Sequence, residues 1–150
     1  MIEYIKIYDW LKRKKFKRYD VIIKYNFIKG YYKTDEPEDF DYEPYNIIIR
    51  DRGREPYPKR FIALIKSFKK KGYDEAFPLQ MASNGAVSGF SHRLACCLYF
   101  RISNIPVIFN EHLKNKQRNY DLKEMESLGF SGEKLFKTYK KIVKRLKRYG

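Results

Sequence analysis

The chain has 150 residues, of which 43% are hydrophobic, and a formal net charge of +15 at pH 7. That length and apolar content suit one domain with a proper core, and the longest apolar runs are too short for a membrane-spanning helix. The charge is uneven: residues 1–33 carry +7, residues 34–45 carry −6, residues 46–73 carry +7, residues 74–113 carry −1 and residues 114–150 carry +8.

The N-terminus, MIEYIKIYDWLKRKK, has its charges after its apolar part and no small-residue cleavage site, so it does not read as a secretory signal. Residues 3–16 place Ile5, Tyr8, Trp10 and Leu11 at loose helical spacing and predict a helix. YDVIIKYNF (19–27), rich in β-branched and aromatic residues, predicts a strand. The acidic TDEPEDFDYEPY (34–45) has two prolines and no helical or strand period, and reads as a solvent-exposed loop that could fold over a basic groove.

NIIIRD (46–51) predicts a short strand, followed by a turn at RGREP. PKRFIALIKSFKKKG (58–72) predicts a helix opened by Pro58 and stopped by Gly72, with Phe61, Leu64, Ile65 and Phe68 on one face. AFPLQMA (76–82) predicts a strand, SNGA (83–86) a tight turn, and Val87 with Ser88 the start of a second strand that Gly89 breaks. HRLACCLYFRI (92–102) predicts a helix and NIPVIFN (104–110) a closing strand. Two further helices are expected over 121–128 and 131–149, the last with Leu135, Phe136, Tyr139, Ile142, Val143 and Leu146 on its core side and lysines opposite. The whole reads as α+β: a single domain over 1–150, with a core at 46–110, a helical C-terminal extension at 111–150 and basic helices at both ends. Cys96 and Cys97 are adjacent, cannot form an ordinary disulfide with each other and lie in an apolar stretch, so they read as buried reduced thiols of a cytoplasmic protein. His112, in NEHLKNK, reads as a surface residue.

NGAVSGFSHRLACCLYF (84–100) departs from its basic surroundings. A helix starting near Phe90 to His92 offers unpaired backbone N–H groups and the positive end of its dipole to an anion. Gly89 permits close approach to the backbone, Ser91 and His92 add donors, and the Arg93 fork fits two phosphate oxygens. The plainer alternative has Ser91 capping the helix, His92 facing solvent and Arg93 pairing with an acid. Arg50, Arg52, Arg54 and Arg60, around the start of the 58–72 helix, form a second anion-attracting cluster, with Asp51 and Glu55 as acids among them.

From Tyr57 to Val107, about a third of the chain, the pattern resembles the ParB/sulfiredoxin-like fold, including its ParB-type nuclease-like domains and free-serine kinases. The shared elements are FKKKG (68–72), FPLQMA (77–82), SNGAVSG (83–89), a Gly-x-x-His-Arg segment opening SHRLACCLYF (91–100), and NIPV (104–107). The resemblance implies a small mixed sheet with helices, and a Gly-x-x-His-Arg segment that binds nucleotide phosphates. Carried over, it makes Gly89, Ser91, His92 and Arg93, with Arg60, the nucleotide contacts, and His92, Glu55 and Asp51 the catalytic candidates. The implied cofactor is a nucleoside triphosphate (ATP or CTP), with magnesium, and the implied activity is phosphoryl transfer to a small hydroxylated metabolite or glycan precursor. Ser91 stands where sulfiredoxins carry their reactive cysteine, and Ser88 where many relatives carry an aspartate. The alternative is a nucleic-acid-binding protein that uses the basic, aromatic-interleaved ends RKKFKRYD and KTYKKIVKRLKRYG.

Overall fold

Strand β1 (Glu3–Lys6) turns directly into the short helix α1 (Ile7–Leu11). The computed structural model describes residues 2–13, 15–34, 40–87, 90–115 and 119–149. The helix expected over 3–16 is therefore split. Only Ile7, Trp10 and Leu11 have helical spacing on a buried face, whereas Glu3–Lys6 is claimed by antiparallel pairing with β3 (Asn104–Phe109) in the register Glu3↔Val107 to Lys6↔Asn104.

Helix α2 (Tyr19–Lys33) occupies the segment expected to be a strand. It buries an unbroken run from Tyr19 to Tyr25, then Phe27 and Ile28. The first two turns are buried all round, exposure being confined to later residues such as Asn26, Lys29 and Lys33, so the sequence lacks a clear 3.6-residue period and looks like a buried strand. The second correction is α3 (Glu43–Asp51), where NIIIRD continues a helix begun in the acidic stretch with Pro44 in its first turn. Tyr45, Ile48 and Ile49 are its buried face, at i, i+3 and i+4. Residues 35–39 of the acidic stretch lie outside the described residues.

Helix α4 (Pro58–Lys71) follows expectation, burying Phe61, Ile65 and Phe68 and ending at Gly72, whose φ of 74° favours glycine. Strand β2 (Leu79–Met81) leads through α5 (Ser91–Tyr99) to β3, and β2 and β3 pair in parallel across this helical crossover. The second strand expected at Val87 and Ser88 reduces to one bridge between Val87 and Met81, and Ser88 lies outside the described residues. The sheet order is β1-β3-β2. Pro106 sits in the middle strand because β1 pairs with residues 104–107 and β2 with 107–109, so the β2 side of Pro106 needs no ladder N–H.

Helix α5 packs chiefly against α2. It buries Leu94 through Leu98, and its Ala95, Cys96 and Cys97 are small enough for close approach. Both cysteines are free and buried, and burial pushes the Cys96 thiol up to about 12 and Cys97 higher still, which makes them poor nucleophiles. Helix α6 (Leu122–Ser127) is capped by Asp121, which accepts from Glu124 N at 2.9 Å. Before α7 (Gly132–Tyr149), Ser131 Oγ accepts from Lys134 N at 3.2 Å. Helix α7 buries Leu135, Ile142 and Leu146, but Phe136, expected on the core side, is 42% exposed. His112 is exposed, in the helical turn after β3. No helix among the described residues is long and apolar enough to cross a membrane. The fold is thus α+β, a small mixed sheet with helices.

Candidate functional site

The start of α5, the end of α3 and the start of α4 converge on a cavity of about 520 Å³. Its polar lining is Arg54, Glu55, Arg60, His92 and Arg93, with Tyr45 and Tyr57 beside them. Five residues singled out from sequence, Arg54, Glu55, Arg60, His92 and Arg93, therefore share one concavity. Asp51 does not line it; its carboxylate accepts from the Tyr120 hydroxyl at 2.6 Å. Of the other two arginines, Arg50 pairs with Glu43 at 3.1 Å and Arg52 reaches Asp20 at 3.8 Å. Gly89 lies outside the described residues.

At the α5 start, Ser91 and His92 are placed differently from either alternative read in the sequence. Phe90, not Ser91, is the N-cap residue, and it makes no side-chain cap. Ser91 is the first helical residue, 3% exposed, and its hydroxyl accepts from the Lys24 ammonium. The intrahelical ladder opens with Leu94 N donating to Phe90 O, so the preceding first-turn amides lie outside it. His92 is turned inward, its Nε2 2.8 Å from the Tyr45 hydroxyl and its ring edge-on to Phe61 at 4.8 Å. Burial, followed by the positive charges of Lys24, Arg52 and Arg54, holds the imidazole well below its usual range. His92 is accordingly neutral at physiological pH. Arg93 stacks on Phe77 at 4.8 Å. Arg60 stands over Tyr57 at 5.8 Å, and the Tyr57 ring is 59% exposed.

Behind the cavity lies a cluster that the sequence did not disclose. Arg18 grips Asp20 with two guanidinium nitrogens at 2.9 and 3.0 Å, and Lys24 stands one helical turn on, 1% exposed. Burial lowers Lys24 to about 7, with Asp20 raising it and Arg18, Arg52 and Arg54 lowering it further. Positive groups outnumber the carboxylate beside Lys24, and this surplus lies under the positive end of α5. The only sequence signal was a lysine inside the apolar run VIIKYNF.

This cluster makes stability pH-dependent in a defined direction. Between about 7 and the ordinary lysine value of 10.5, the unfolded chain holds a proton on Lys24 that the folded chain lacks. Its contribution therefore rises with pH, by at most about 1.4 kcal/mol per pH unit, and is lost as pH falls through about 7. Lys24→Met should lack that component. Urea unfolding at pH 7, 8 and 9, followed by Trp10 fluorescence, should show the native chain gaining stability on the variant; parallel curves would mean that Lys24 keeps its proton on folding.

The donors do not fit a resident magnesium ion. Glu55 is the single carboxylate among the described lining residues, it stands among guanidinium groups, and the described residues contain no cluster of three histidine, cysteine or acidic side chains. Chemically, the cavity can neutralise a polyanion, hold a hydroxyl near a carboxylate and stack a flat ring at its rim. The chain matches no protein family model, no curated protein and no solved structure.

Proposed function

We propose that the chain is a nucleotide-binding phosphotransferase of the ParB/sulfiredoxin-like fold that acts on a small hydroxylated acceptor. The observation that carries this reading is the meeting of Arg54, Arg60 and Arg93 with Glu55 in one cavity of about 520 Å³ beside the start of α5. That volume lies in the range of small-molecule sites. The three guanidinium forks take the phosphate oxygens, and the neighbouring cation surplus strengthens the field on them. Tyr57 offers an exposed ring for the nucleobase. Glu55 accepts the acceptor's hydroxyl proton as that oxygen attacks the terminal phosphorus, and a nucleoside diphosphate leaves with its new charge held by the arginines. His92, neutral and bonded to Tyr45, positions the wall rather than carrying charge.

The test is thermal unfolding with ATP, CTP or GTP, each with and without magnesium. A nucleotide at a hundredfold its dissociation constant should stabilise the chain by about 2.7 kcal/mol, an upward shift of several degrees. Absence of a shift with all three at millimolar concentration would overturn the reading.

A further inference from the structure

The solvent side of α7 carries a second concave surface, remote in composition from the cavity above. A groove of about 800 Å³ between α1 and α7 is lined by Lys12, Lys137, Lys140, Lys141, Lys144 and Lys147, against one acid, Glu133. All six lysines are exposed, and among the described residues none is in an ion pair. Lys141 and Lys144 also line an adjoining hollow with Arg101 and Arg148, so the basic strip continues towards the end of the helix. From Phe136 to Lys147 the strip extends along about 17 Å of helix, with ammonium groups repeating about every turn of 5.4 Å.

Aromatic rings lie in the groove between these charges. Phe136 is 42% exposed and stacks on Tyr139 at 6.3 Å and 28°. Tyr139 in turn stacks on Phe16 at 4.7 Å and 15°, and its hydroxyl donates to Leu11 O at 2.6 Å, which fixes the ring. At the exposed end of this three-ring pile, the Lys140 ammonium stands over the Phe136 ring at 5.2 Å. We infer that the α1–α7 groove binds single-stranded nucleic acid, with a base extending the ring pile from Phe136 and the lysines neutralising consecutive phosphates. An unpaired base has a free face to stack, whereas the bases of a duplex are already stacked on one another. An anionic membrane fits less well, because Leu135, Ile142 and Leu146 are already buried in the core and Phe136 is the one large apolar side chain that the described part of α7 exposes. This inference does not depend on the nucleotide-binding reading.

Fluorescence anisotropy with a labelled 15-mer of oligo(dT) or oligo(rU) tests it. Binding should weaken steeply with salt, with a log–log slope of about −3 if four phosphates are neutralised. Phe136→Ala, at an exposed position, should lower affinity by about 5- to 150-fold with unchanged circular dichroism. Lys140→Gln with Lys144→Gln should flatten the salt slope by about 1.4. Arg93→Ala should leave the affinity for the oligonucleotide unchanged. The inference is overturned by no binding, by equal affinity for a duplex of the same length, by an unaltered Phe136→Ala, by loss of binding in Arg93→Ala, or by phosphatidylserine vesicles that take up the protein without competition from the oligonucleotide.

Discussion

Asp20→Ala should cost about 3–5 kcal/mol, more than any other single surface or site substitution considered for this chain. Burial alone would push the Asp20 carboxyl up, but Arg18, then Lys24 and Arg52, more than offset it and hold it below the usual carboxylate range. Arg18 is 3% exposed and Lys24 1% exposed, so neither cation gains water when the carboxylate is removed. The variant must keep unpaired charge inside the protein or open the α2–α5 contact. Asp20→Asn tests whether charge rather than shape is at stake, and it should lose nearly as much. The sign with pH follows from the lowered carboxyl: its stabilisation is present above the unfolded value of 3.8 and is lost as pH falls through the lower folded value. Urea unfolding followed by the single tryptophan, Trp10, which is 3% exposed, supplies the measurement. A loss below about 1 kcal/mol would mean that the cluster is wet and its charges are screened.

Arg93→Ala should weaken nucleotide binding by about 10- to 150-fold, corresponding to about 1.5–3 kcal/mol for a charge-assisted contact to phosphate. Stability should change little. Among the described residues Arg93 makes no ion pair, and its recorded partner is Phe77, a ring that is 52% exposed. Arg93→Lys should not restore affinity, because an ammonium group lacks the planar fork that meets two oxygens. Calorimetric titration with the nucleotide that gives the largest thermal shift separates the outcomes. Undiminished binding would remove Arg93 from the site, and unfolding of the variant would assign it a structural role.

Helices with one wet face were legible in the sequence, and enclosed ones were not. Helix α4 carries its apolar stripe in its own residues and its stop, Gly72, just after them, and α7 carries its stripe likewise, apart from Phe136. Helix α2 was misread because its first two turns are buried around the whole circumference, Asp20 and Lys24 included, and circumference leaves no trace in a linear pattern. Helix α3 hid behind a run of three isoleucines, although Tyr45, Ile48 and Ile49 already had helical spacing and Pro44 a place in the first turn. The site divides in the same way. Glu55, Arg60, His92 and Arg93 lie in segments whose helix starts are visible locally, and they meet in one cavity. Lys24 acts on Ser91 across 67 positions of sequence, a contact that arises only when α2 is enclosed by its neighbours.

The strand order carries a consequence for biosynthesis. The middle strand of the sheet, β3, is the last of the three to leave the ribosome, and its first partner, β1, emerges about a hundred residues earlier. Closing so long a segment is entropically slow rather than prohibitive. Until it closes, the nascent chain must shelter the oily surface of α2 without α5, which makes the interval between the emergence of α2 and that of α5 the window in which chaperones, or aggregation, would act on it.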